Sequence, residues 1–187
     1  MNFWQTLLKP IIGLAPMDGV TDASFRFITA KHGGPDVMLT EFVNIQSAPY
    51  APELLLKDFT YAEIERPVVA QIYGRTPELF YKAAHIVGAL GFDGLDINMG
   101  CPARKVAAAG CGAALIREPA LARAMIQASR QGLRDWYHGQ SLAAILPFVH
   151  AGHRPDDRNH VVHHVMQNVA MNHPIAQVVG DELHVTR

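Results

Sequence analysis

A dominant charge sign is missing from this chain: 16 Lys and Arg stand against 17 Asp and Glu, leaving a net charge of -1 over 187 residues. No overall basic field therefore announces a nucleic-acid partner, although a local basic patch on a neutral protein still binds phosphates. Cysteine is scarce too. Cys101 and Cys111 are the two in the chain, and with no export signal they read as free thiols and not as a disulfide framework. Apolar runs long enough to span a bilayer are absent. The amphipathic opening from Met1 to Pro10, with Phe3, Trp4, Leu7 and Leu8, lacks the basic start and long apolar stretch of a secretion signal. The resulting expectation is a cytoplasmic protein that needs no membrane.

What is present is a repeating strand, turn and helix. Ile11 to Ala15 is an apolar run closed by Pro16, with Met17, Asp18 and Gly19 as the loop behind it. Thr21 or Asp22 caps a helix through Phe25, Phe27 and Ile28 that ends at Gly33, Gly34 and Pro35. Val37 to Phe42 is a second strand with Glu41 near its end, and Ala51 to Lys57 reads as a short helix. Pro67 to Ile72 is apolar apart from Gln71, as in a strand covered on both faces. Thr76 and Pro77 open a helix as N-cap and first-turn proline, and it runs through Phe80, Ala84, Val87 and Leu90 to Gly91. A fourth strand starts at Gly94, with Leu95, Ile97 and Met99 alternating with Asp96 and Asn98 until Gly100 and Pro102 stop it. An Ala- and Gly-rich loop, Ala107 to Ala114, precedes a helix opened by Glu118 and Pro119, with apolar positions Leu121, Met125 and Ile126, reaching about Ser129.

Four such alternations predict an α/β fold with a parallel, curved sheet of the TIM-barrel type. The length falls short of the roughly 250 residues of a complete barrel, so an incomplete barrel of about four β/α units is expected, followed by an irregular segment. The division falls at residues 1–132 and 133–187. The second part holds eight of the ten histidines, between His138 and His184. His160, His163 and His164 can share a helix face near His150, His153, Asp156 and Asp157, but no familiar ligand spacing appears and no metal is expected.

Polar groups at the C-terminal ends of barrel strands meet substrate while apolar ones fill the core. That rule singles out Cys101, where a strand hands over to a loop. Asn98 carries both donor and acceptor groups, with holding the turn as its plainer role. Arg104 and Lys105 follow the cysteine closely, and two adjacent charges there are more often merely solvated.

The run Asp96-Ile97-Asn98-Met99-Gly100-Cys101-Pro102, with Arg104-Lys105-Val106 and Gly110-Cys111-Gly112-Ala113-Ala114-Leu115-Ile116 after it, resembles the signature of the flavin-dependent tRNA-dihydrouridine synthases. The likeness extends through Ala15 to Asp22, Phe25-Arg26 and Gln71-Ile72-Tyr73-Gly74, and covers about the first 130 residues. It implies a flavin mononucleotide (FMN) site with Pro16, Met17, Asp18 and Gln71 at the ring, NADPH as reductant and tRNA as substrate. It also implies reduction of the C5=C6 bond of uridine, with Asn98, Arg104 and Lys105 facing the RNA. An ordinary cysteine thiol titrates near about 8.5 and is mostly protonated at neutral pH, which suits a cysteine in this place to protonate C5 while flavin gives hydride to C6.

The family's later features are not recognisable after Gly132: a lysine on the next strand, further strands with their phosphate-binding loops, and a helical tRNA-gripping domain. The 187-residue chain by itself is therefore expected to hold flavin weakly and to turn tRNA over little, as a truncated or inactive form would. Two other readings stand beside this one. One is a flavin-dependent barrel oxidoreductase for a small pyrimidine; the other is a non-catalytic half-barrel that self-associates through its open edges.

Overall fold

The described residues of the computed structural model are 3–46 and 58–137. Through them strands and helices alternate in the predicted order. Strand β1 is Gly13–Leu14, shorter than the apolar run around it, and helix α1 is Ala23–His32. Asp22 caps α1, its Oδ1 accepting from the Phe25 N–H at 2.8 Å. Strands β2, Val37–Leu39, and β3, Val43–Asn44, both pair in parallel with β4, Val68–Tyr73. Helix α2, Pro77–Ala89, leads to β5, Gly94–Ile97, which takes the other edge of β4. Helix α3, Arg104–Ala108, a 3-10 turn over Gly112–Arg117 and helix α4, Pro119–Tyr137, complete the described chain.

The sheet is wholly parallel, with β1 beside β2, β2 and β3 sharing one edge of β4, and β5 on the other. Neighbours in sequence are neighbours in space, which is how a β/α barrel is wound. The strand predicted from Val37 to Phe42 is interrupted. Leu39 pairs with Val69 and Val43 with Ile72, so β2 and β3 carry one residue more than the facing stretch of β4. That is a β-bulge, and it re-aims the chain at Thr40.

Strand β4 is buried on both faces, from Val68 through Ile72. Its Val68, Ala70 and Ile72, with Leu95 and Ile97 of β5, join one core with Phe80, Ala84 and Val87 of α2 and Met125 and Leu133 of α4. At the opposite end from the strand C-termini, the Phe3 and Trp4 rings lie tilted with centroids 4.7 Å apart, and Phe3 approaches the start of β5 at Gly94.

One predicted boundary stands and another moves. Thr76 occupies the N-cap of α2 but makes no side-chain cap bond. Gln46 instead ties down the turn before the helix: its Oε1 accepts from the N–H groups of Arg75 and Thr76, and its Nε2 donates to Thr76 Oγ1 at 3.0 Å. Helix α4 passes the expected end near Ser129 because Leu133 is buried and Trp136 packs on the core. The predicted helix at Ala51 to Lys57 and the histidine-rich residues from His138 onward lie outside the described residues.

Gly132 is a contact point. A Cβ there would stand 2.4 Å from the Tyr81 carbonyl oxygen and 2.9 Å from Ala84 Cβ, both on α2. Alanine gains about 1 kcal/mol over glycine inside a helix, but a clash with backbone atoms of a packed neighbour costs about 1–3 kcal/mol. The clash wins because a carbonyl in a helix cannot swing away. Gly132→Ala is expected to lower the urea midpoint of the full chain, and an unchanged or raised midpoint would show that the helices slide apart freely.

His85, on α2, is 5% exposed, and neither ring nitrogen has a hydrogen-bond partner. Its ring lies 4.8 Å from that of Tyr81, whose hydroxyl is bonded to Asp135 on α4. Burial pushes the imidazole pKa below its ordinary value, with Asp135 opposing the shift. The folded state thus resists a proton that the unfolded chain accepts, so stability is intact above about pH 6.5 and is lost as pH falls below it. Urea midpoints followed downward from neutral pH should drop more for the wild type than for His85→Leu. Equal drops would mean that the imidazole is hydrated.

Candidate active site

Every strand in a parallel sheet ends on the same side, so the segments after β1, β2, β4 and β5 converge. The turn after β1 is closed by Thr21: its N–H donates to the Met17 carbonyl at 2.9 Å, and its Oγ1 accepts from the Met17 N–H at 2.9 Å. Behind it lies Arg26, 1% exposed in a helix whose neighbouring positions are open. Its guanidinium donates to Glu65 Oε2 at 2.7 Å, to the Thr21 carbonyl at 2.9 Å and to the Thr60 carbonyl. The pair is fully buried. In front, Glu41 accepts from the Gly19 N–H. Pro16 is half-buried, and Met17 and Asp18 are exposed at the mouth.

The bulge places Thr40, fully buried, against β4. Its N–H keeps the ladder by donating to the Val69 carbonyl at 3.0 Å, while its Oγ1 stands in for a missing carbonyl and accepts from the Gln71 N–H at 3.0 Å. Gln71 is thereby fixed at its backbone. Its side chain is fixed at both ends. Nε2 donates to Asp96 Oδ2 at 2.5 Å, and Oε1 accepts from Asn98 Nδ2 at 3.1 Å.

Asn98 Oδ1 in turn accepts from the N–H groups of Gly100 at 3.2 Å and Cys101 at 3.0 Å. Both lone pairs of that oxygen are occupied, so one N–H is what Asn98 has left to offer. Gln71 keeps one N–H and one lone pair. Asp96 is 8% exposed, and burial raises its carboxyl above the usual carboxylate range, offset in part by the Gln71 and Ile97 hydrogen bonds.

Cys101 is partly exposed, and its carbonyl accepts from the Ala113 N–H at 3.0 Å. A Cβ on Gly112, whose φ is +57°, would fall 2.6 Å from that oxygen. Only glycine lets the 3-10 turn close on the cysteine loop. Cys111 is buried, and burial raises its thiol pKa, with Arg75 pulling the other way. The Tyr73 hydroxyl lies in the same neighbourhood: burial raises its pKa first, then the nearby Cys111, Asp18 and Cys101.

Gln71, Asn98 and Cys101 form one hydrogen-bonded series, and Asp18 and Cys101 both act on the Tyr73 hydroxyl. Of the two roles weighed for Asn98, the turn-holding one is visible, through Oδ1, while Nδ2 donates to Gln71. Arg104 and Lys105 are exposed, in the first turn of α3 and not in a loop. The predicted Ala- and Gly-rich loop is likewise replaced by the end of α3 and the 3-10 turn, because Val106 and Leu115 bury against the core side.

Sequence reasoning assigned no role to Thr40, Asp96, Arg26 or Glu65. Asp96 had a signal, a carboxylate in a strand otherwise apolar and buried; Thr40 had none. Among the described residues no cluster of His, Cys, Asp and Glu can hold a metal, and no helix is long and apolar enough to cross a membrane.

A family model described as dihydrouridine synthase (Dus) matches residues 13–135. Over 133 residues the chain is 46% identical to a "Probable tRNA-dihydrouridine synthase 2" of Bacillus subtilis strain 168, covering 70% of this chain and 41% of that protein. It is 42% identical over 133 residues to a "Probable tRNA-dihydrouridine synthase" of Staphylococcus epidermidis strain RP62A, again 70% of this chain and 41% of the relative. The corresponding protein of Staphylococcus aureus strain COL is 41% identical over the same length, 70% of this chain and 40% of the relative. The chain spans about two fifths of the length of these curated relatives.

Proposed function

Because the chain belongs to the dihydrouridine synthase family, we propose that its strand ends form the reactive side of a site that reduces the C5=C6 bond of uridine in tRNA, with FMN as cofactor and NADPH as reductant. The observation that carries this reading is the continuous series Gln71, Asn98 and Cys101 at the C-terminal ends of β4 and β5.

The residues present fit a flavin. Its pyrimidine edge alternates donors and acceptors, and Gln71 retains one of each; the exposed, apolar Met17 beside Pro16 suits a flat ring. Bound in reduced form, FMN supplies the hydride that goes to C6 of the uracil. The protein's own part is the proton. Cys101 Sγ–H gives its hydrogen to C5, the thiol becomes a thiolate, and a proton from solvent restores it.

Asn98, left with one N–H, selects a ligand carbonyl; uracil offers one at C4 where cytosine carries an amino group. Arg104 and Lys105 are exposed in the turn beyond Cys101, which supports a role in meeting RNA phosphates, contacts that position the substrate without reading its sequence. A cytoplasmic location accords with tRNA as substrate. Self-association has a physical motive as well: β1 and β5 each pair on one side among the described residues, and α1 exposes Phe25, Phe27 and Ile28.

In cells where the protein is active, Cys101→Ala should abolish dihydrouridine in tRNA, read by mass spectrometry, while reduction of FMN by NADPH persists. Cys111→Ala should leave both intact, since that thiol is buried beneath the turn. Loss of both half-reactions in Cys101→Ala would assign the cysteine a structural role. Unchanged dihydrouridine on deleting the gene, in a strain with no second synthase, would sink the tRNA reading.

A further inference from the structure

We propose that Asp96 is the positioning residue of the site, setting through Gln71 the orientation of the Asn98 carboxamide and hence the conformation of the Cys101 loop. The inference deepens the proposed function, because it says why Asn98 faces a ligand as a donor.

The geometry is directional. A carboxamide has a donating end and an accepting end, and turning it over exchanges the two. The N–H groups of Gly100 and Cys101 both point at Asn98 and demand its oxygen. Asn98 Nδ2 must then face Gln71, which answers with Oε1. Gln71 Nε2 is left facing Asp96, where an acceptor is required. A carboxylate oxygen satisfies that requirement in either rotamer, and a carboxamide in only one.

Nothing else holds the order as firmly. Gln71 is 2% exposed and Asp96 8%, so water offers little alternative to the bonds they make. In a buried network each bond polarises the next, and one reversed amide leaves two donors or two acceptors face to face. Register reinforces the pairing, since Gln71 and Asp96 are direct partners on β4 and β5. Leu95 and Ile97 point the opposite way, into the helix-covered core. Asp96 is thus held on the face where Gln71 emerges, two residues before Asn98 and five before Cys101. It touches no reacting atom.

The test uses the full chain without flavin or RNA, so its outcome is independent of whether the dihydrouridine reading holds. Hydrogen exchange of the Gly100 and Cys101 backbone amides is followed by NMR in the wild type, in Asp96→Leu, and in the double variant Asp96→Asn with Gln71→Glu. Asp96→Leu removes the acceptor, which an asparagine would keep in its own oxygen, and exchange at both amides should rise by roughly tenfold, the equivalent of one ordinary hydrogen bond. Exchange at Ala70 and Ala84, in the core behind, should stay as it was. The double variant moves the carboxylate to position 71, where it accepts from both neighbours, and should keep exchange slow at Gly100 and Cys101. A merely structural loss would not be rescued this way. Should Asp96→Leu fail to fold, Gln71→Met breaks the same link and must show the same local acceleration. Unchanged exchange in the single variants, acceleration spread evenly over the core, or a double variant no slower than Asp96→Leu would each overturn the proposal.

Discussion

Two backbone N–H groups after β5 have no strand to pair with, and the rest of the functional end depends on how they are satisfied. Asn98 accepts from both with one oxygen, which spends its acceptor and commits its nitrogen to Gln71. Gln71 can answer only because its own backbone is held in place by Thr40 across the bulge. The local kink in β2 and β3, the polar pair inside β4 and β5 and the partly exposed Cys101 are therefore joined by one series of hydrogen bonds. Gly100 is exposed and Cys101 partly buried, so water can also reach these N–H groups, and the arrangement is a condition of the site's shape more than of the fold.

The buried Arg26–Glu65 pair is governed by similar logic. Desolvating two charges often outweighs their attraction, so a buried pair is weak evidence of stability. What this one does visibly is hold position: its remaining donors grip the carbonyls of Thr21 and Thr60, and Thr21 closes the turn that carries Met17. The loop after β1 is thus tied to the segment before β4 from behind, while Glu41 secures it in front. An exposed loop at the mouth of a parallel sheet gains a fixed shape without burying its own backbone.

Much of this was legible in the chain. Apolar runs and glycine or proline stops gave the order of strands and helices, and burial of β4 on both faces follows from its unbroken apolar character. The strand-to-loop position of Cys101 could be read from Gly100 and Pro102 alone. Register could not. The bulge at Thr40 depends on which β4 residue faces Leu39 and Val43, and threonine in a strand carries no mark of it. Nor does one arginine on a helix announce that it is buried when its partner lies 39 positions away. Helix α4 outruns its expected end near Ser129 for a related reason, since Gly132 seats against Tyr81 of α2. Long-range contacts decide these cases, and local patterning does not contain them.

The central claim is that the strand ends around Gln71, Asn98 and Cys101 accept the flavin ring. Backbone amide NMR of the full chain titrated with FMN tests it even where binding is weak. Saturable shifts at Met17, Gln71, Asn98 and Cys101, lost together in Gln71→Met, are the predicted result. Shifts centred on Phe3, Trp4 and Gly94 at the far end of the sheet, or none at millimolar FMN, would contradict it.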